Sequence, residues 1–264
     1  MTWEEFRDAI GKDPVLVIPI GSTELAGLHL PLGADTIVAN EFAKLLAGEE
    51  GVIVCPALPI GYSKWFNPFP GTISLEHDTL TKVLLEYCRC LIEHGARRLL
   101  FLNAHKGNNS SIETAARILI SEKNINISML SIWKLANDLT TGLGIISEGK
   151  FTHAGEIMTS ILLKLKPETV VMEKIRPDRI KSPDGSELHV LNTLGETSFR
   201  GSTQSFYQDI RTLTETGIAG DPTNASAELG GKIVELIDNY LKAFIKEFRK
   251  LPLECHQKGQ QRNG

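Results

Sequence analysis

The sequence predicts an α/β fold built on a mostly parallel central sheet, and three observations carry that expectation. Apolar strand-like runs alternate with helical patterns along the chain, the βαβ rhythm that builds parallel sheets. At 264 residues with 42% hydrophobic content, the chain can bury the core of one large α/β domain. The polar, chemistry-bearing residues cluster where strand-like runs give way to loops, as they do in open α/β sheets.

The first strand is expected at 15–20, where Val15-Leu-Val-Ile-Pro-Ile20 forms an apolar run bounded by Gly21. A helix over 37–47, a strand over 52–58 and a helix over 78–94 follow. The run Arg97 to Leu102 places a strand at 98–103, and the pattern from Ser110 onward places a helix at 110–122. A strand over 127–133 precedes a helix over 154–165. Residues 167–216 then break the rhythm with Pro167, Pro177 and Pro183, and read as an excursion serving as a lid or oligomer contact. A helix over 224–249 closes a single domain, 1–253, and 254–264 reads as a frayed polar tail.

Composition excludes several function classes. A net charge of −4 with no basic stripe argues against nucleic acid. No apolar run approaches the ~18 residues of a membrane span, and the start Met-Thr-Trp-Glu-Glu-Phe lacks a basic region followed by an apolar one. Cys55, Cys88, Cys90 and Cys255 follow no metal-binding spacing. Cys88 and Cys90 point to different faces of a helix, so all four read as reduced and the expected location is cytoplasmic.

The densest chemistry lies in Gly21 to Asp35, GSTELAGLHLPLGAD, where Glu24, His29 and Asp35 fall on the loop after the first strand. Two carboxylates and an imidazole match the ligand chemistry of a divalent ion such as zinc or manganese. His105, in Asn103-Ala-His-Lys-Gly-Asn108, sits at another strand-to-helix junction, although taken by itself that segment reads better as a helix cap with a surface histidine. His153 and Glu156 open the helical pattern after them. A first-turn glutamate also answers the helix macrodipole, whereas a near-neutral imidazole can carry protons. Trp65, Phe66 and Phe69 form either an aromatic wall over a substrate or a plain loop anchor. Lys106 either steadies an anionic intermediate or is simply solvated.

The order GSTELAGLHLPLGAD, FPGTISL (Phe69 to Leu75), NAHKGN, HAGEIMTS and GDPTNASAELG resembles the creatininase family of metal-dependent amidohydrolases, from about Ile18 to Gly230. The resemblance implies a three-layer α/β/α sandwich, a metal site at the carboxyl edge of the sheet, hydrolysis of cyclic or linear amides, and a homo-oligomer, a hexamer in the family. Carried over position by position, it makes Glu24, Asp35 and His105 metal ligands and His153 a catalytic histidine. Three positions depart from the family pattern. Ala26 stands where a histidine ligand is usual, Met158 where a glutamate is usual, and Phe66 where many relatives carry a histidine.

The combined expectation is a metal-dependent hydrolase cleaving a C–N bond of a small substrate. It holds one zinc or manganese ion per chain on Glu24, Asp35 and His105. His153 and Glu156 serve catalysis, and His29, Trp65, Phe66 and Lys106 contact substrate. Two alternatives remain: ring opening of a sugar- or inositol-derived cyclic ketone or lactone, and a metal-free relative acting as a binding or scaffold protein.

Overall fold

The computed structural model describes residues 1–147 and 150–254. In chain order the elements are α1 (Trp3–Ile10), β1 (Val15–Ile20), α2 (Ala34–Leu46), β2 (Val52–Val54), α3 (His77–Glu93), β3 (Arg98–Asn103), α4 (Asn109–Lys123), β4 (Asn126–Ser131), α5 (Ile132–Thr140) and α6 (Glu156–Leu165). After these come β5 (His189–Val190), β6 (Glu196–Phe199), β7 (Ser202–Ser205), α7 (Ile210–Leu213) and α8 (Ala227–Lys250).

The central sheet has the order β2-β1-β3-β4 and every pairing in it is parallel. Side chains alternate across a strand, so β1 feeds two separate cores. Val15 and Val17 join the cluster with α2, α5, α6 and α8, while Leu16, Ile18 and Ile20 join the cluster with α3 and α4. Helices therefore cover both faces, giving the three-layer α/β/α sandwich. On one face α8 packs against α6 closely enough that a Cβ at Gly230 would lie 1.9 Å from the Ser160 carbonyl oxygen.

Pro19 sits in a central strand, a position that proline normally avoids. Here β2 has already ended at Val54, and the Pro19 carbonyl accepts from Leu58 at 3.0 Å, so no ladder donor is lost from a continuing neighbour. The same shortening corrects the strand expected at 52–58: Pro56 and Pro59 stop the ladder, and only an isolated Ile20–Leu58 bridge remains. The strand expected at 127–133 ends at Ser131, where Ile132-Trp133 turns into α5. Continued apolarity concealed that change of period. Helix α1 was not expected, although Thr2 and Glu5 form a capping box at its start.

The excursion over 167–216 carries its own antiparallel sheet, β5-β6-β7. It packs on the body through Val190, Ile210 and Leu213, which cluster with Leu25 and Phe66. Cys88 is buried and Cys90 exposed, consistent with opposite helix faces, and Cys55, Cys88 and Cys90 are free thiols. Residues 255–264 of the expected tail, with Cys255 and His256, lie outside the described residues.

Candidate metal centre

Two strand ends and one helix start deliver the site. Glu24 follows β1, Asp35 lies in the first turn of α2, and His105 follows β3. One ligand atom from each lies within 4.8 Å of the others, and all three side chains are buried. These are oxygen and imidazole donors converging in the protein interior, a set that suits zinc or manganese.

Each donor is aimed by a second group. The Asp35 carboxylate accepts from Ser22 Oγ at 2.9 Å, from Trp133 Nε1 at 3.0 Å and from His105 Nδ1 at 3.0 Å. Glu24 Oε2 accepts from Ser63 Oγ at 2.5 Å. His105 Nε2 lies 2.8 Å from the Tyr62 carbonyl and 3.3 Å from Glu24 Oε2. Both imidazole nitrogens thus face acceptors. Burial opposes the charge on His105, but Glu24 and Asp35 outweigh it and lift the ring to about 9. Burial, opposed by His105 and supported by Asp35, lifts Glu24 to about 7. Orienting partners of this kind are typical around metal ligands.

Asn108 ties the loops together. Its Nδ2 donates to the Gly21 carbonyl at 2.9 Å and to Asn103 Oδ1 at 3.2 Å, while its Oδ1 accepts from Tyr62 N at 3.1 Å. One buried amide therefore spans the ends of β1 and β3 and the aromatic loop. That loop turns once at Lys64–Phe66 and lays two rings on two histidines. Trp65 stacks on His105 with centroids 5.6 Å apart, and Phe66 on His153 at 4.8 Å.

His153 is half-buried and its Nε2 donates to the Leu25 carbonyl at 2.9 Å. A carbonyl only accepts, so Nε2 carries the hydrogen and Nδ1 keeps the lone pair of the neutral ring. Burial pushes its pKa down against the pull of Asp35, with which it interacts electrostatically, as it does with His105.

The remaining expected site residues lie elsewhere or have other partners. His29 is fully buried with Nε2 2.8 Å from Thr159 Oγ1. The Glu156 carboxylate accepts from Ser147 N at 2.7 Å and Oγ at 2.8 Å, which anchors the loop before α6. Lys106 is exposed and pairs with Glu196 on β6 at 3.1 Å. Sequence reasoning missed Ser22, Ser63 and Trp133. The two serines carried a weak signal through their place in the loops after β1 and β2, whereas Trp133 was absorbed into an apparent strand.

A family profile described as creatininase, creatinine amidohydrolase, matches residues 1–245. The chain belongs to the creatininase family. Its relatives are hydrolases. It is 30% identical over 191 residues to a creatinine amidohydrolase of Pseudomonas putida, covering 66% of this chain and 74% of that protein. It is 33% identical to a mycofactocin precursor peptide peptidase of Mycobacterium tuberculosis (83% and 80% covered). It is 26% identical to a 3-dehydro-scyllo-inosose hydrolase of Thermotoga maritima (94% and 81%). Among solved structures, a manganese creatininase superposes with TM-score 0.77 at 27% identity, covering 94% of this chain and 96% of that one. A zinc–zinc form of a mutant creatininase gives 0.75 at 26% identity, with 94% and 95% covered.

Within the creatininase frame, the three departures are all buried and apolar. Ala26 and Met158 lie in one core cluster, and Phe66 lies in the cluster beneath the excursion. Gly107 adds a steric limit, because a Cβ there would fall 2.2 Å from the Tyr62 carbonyl oxygen and 2.5 Å from His105 Nε2. No helix among the described residues is long and apolar enough to cross a membrane.

Proposed function

We propose that this creatininase-family hydrolase cleaves a C–N bond of a small cyclic or linear amide, using one divalent ion, zinc or manganese, held by Glu24, Asp35 and His105. The observation that carries the proposal is the buried convergence of those three donors within 4.8 Å. An ion bound there would supply Lewis acidity for a carbonyl oxygen and bring a water closer to its deprotonated form. A single ion follows from Ala26 and Met158, which offer neither imidazole nor carboxylate where the family pattern has a histidine and a glutamate.

The chain's own residues supply orientation and proton traffic. Ser22 and Trp133 hold Asp35, and Ser63 holds Glu24. His153 is kept neutral by burial, and its hydrogen is committed to Leu25, so Nδ1 takes a proton from the attacking water and returns it to the leaving nitrogen. Glu156 supports this helix start through its bonds to Ser147 and does not itself transfer a proton. Phe66 and Trp65 shield the two histidines from bulk water, which strengthens every polar contact beneath them. The linear amide includes the peptide bond, in line with the similarity to the mycobacterial peptidases.

A second reading is ring opening of a cyclic ketone or lactone derived from a sugar or inositol. It is favoured by the similarity to the Thermotoga inosose hydrolase. The test is turnover by zinc- and manganese-loaded protein against three panels: small cyclic and linear amides, lactones, and cyclic ketones. Release of amine from the first panel alone supports the proposal. Turnover confined to the other two replaces it with the second reading, and turnover of none returns the chain to a binding role.

A further inference from the structure

Two indoles flank the metal trio, and their N–H groups are used differently. Trp133 Nε1 is spent on Asp35. Trp65 Nε1 is buried and finds no acceptor among the described residues. An unsatisfied buried N–H is costly, and native structures seldom keep one without a use.

The ring is not free to turn towards another acceptor. It lies nearly parallel to the His105 imidazole, at 16°, and also packs against Tyr62 and Phe66. Its benzo edge closes on Gly107, where a Cβ would come within 2.5 Å of Cη2. The loop beneath it is pinned by Ser63 N donating to Ser74 Oγ at 2.8 Å and Phe66 N donating to the Ser63 carbonyl at 2.9 Å. Apolar residues of the excursion, Val190, Ile210 and Leu213, share its cluster.

We propose that Trp65 Nε1–H is a substrate-positioning donor that binds the sp² oxygen of a carbonyl-bearing substrate laid over the His105 side of the metal centre. The inference rests on the metal-hydrolase reading and adds the substrate contact to it. It assigns the aromatic loop a polar task beyond shielding: the substrate must offer a planar oxygen acceptor facing the indole edge. The cost of keeping the donor unsatisfied is recovered when that oxygen arrives. An analogue lacking the oxygen leaves the N–H unpaired and binds less well.

The test uses zinc-loaded protein labelled with ¹⁵N at its three tryptophans, Trp3, Trp65 and Trp133. The indole resonances are assigned by Trp65→Phe, and two probes are titrated. Acetohydroxamate carries a carbonyl oxygen and binds zinc; imidazole binds zinc but offers no such oxygen. The proposal expects the Trp65 indole proton to move downfield with acetohydroxamate and not with imidazole, while Trp3 stays fixed. Calorimetry should show Trp65→Phe weakening acetohydroxamate roughly three- to tenfold, the loss of one hydrogen bond, with imidazole affinity and zinc content unchanged. An unmoved Trp65 resonance, or equal weakening of both probes, overturns the proposal, the latter by showing a packing role only. Binding of neither probe by fully zinc-loaded protein also overturns it. Absence of zinc itself is a different failure, that of the metal-centre reading.

Discussion

His153 is where the division of labour is sharpest. Its Nε2 hydrogen is held by Leu25, its ring is covered by Phe66, and it feels the charge of Asp35 without being one of the converging donors. His153→Gln should therefore keep the metal and most of the substrate affinity while turnover falls by roughly 10²–10⁴-fold. The pH profile should change too. The base must be neutral and burial lowers its pKa, so wild-type turnover falls as pH drops through a point below 6.5, and this limb should vanish in the variant. Steady-state kinetics with elemental analysis of the same samples decides it. Loss of metal in His153→Gln would make the residue a ligand. Unchanged turnover would make it a structural helix-start residue.

Elements matter here because loops from different strands must meet without spare room. Gly107 is the tightest such point, with the Tyr62 carbonyl, His105 and Trp65 all within 2.5 Å of an added Cβ. The carbonyl is backbone and cannot step aside, so Gly107→Ala should push the aromatic loop off His105. Lower thermal stability and a weakened metal site are expected together, read by calorimetry and zinc titration; a variant unchanged in both would mean the loop moves freely. His29 gives a second element-scale prediction, because it locks the loop after β1 to α6 through Thr159. Burial lowers its pKa to about 4 from 6.5. Between those values the unfolded chain binds a proton that the folded chain refuses, so this group's contribution to stability falls as pH drops from about 6.5 to about 4. Denaturant titrations across that window should show a shallower acid loss for His29→Gln than for wild type, and parallel curves would contradict the assignment.

At the scale of the whole molecule, most of the architecture was readable because the pattern was strongly periodic. The run that became β1 was apolar from end to end and that of β3 was apolar between Arg98 and Asn103, as expected of strands covered on both faces. The ligand candidates were readable because they cluster at strand ends in the sheet crevice. What escaped followed from contacts between distant segments. Trp133 looked like the end of a strand, yet its indole reaches 98 residues back to Asp35. Ser63 became meaningful only when its loop crossed to Glu24. His29 looked like a site residue because of its neighbours in sequence, but its loop turns it into the core. The excursion's small sheet was concealed by short strands with polar faces, of which β7 is exposed throughout.

The chemistry of this site depends on one ion held by three donors. Elemental analysis of protein purified without chelator, for wild type and His105→Ala side by side, tests this most directly. One equivalent of zinc or manganese per wild-type chain, falling to near zero in the variant with the fold retained, is the predicted result. Two equivalents in wild type would show that another residue replaces the ligands lost at Ala26 and Met158. No metal in wild type, or equal metal in both proteins, would contradict the assignment of Glu24, Asp35 and His105.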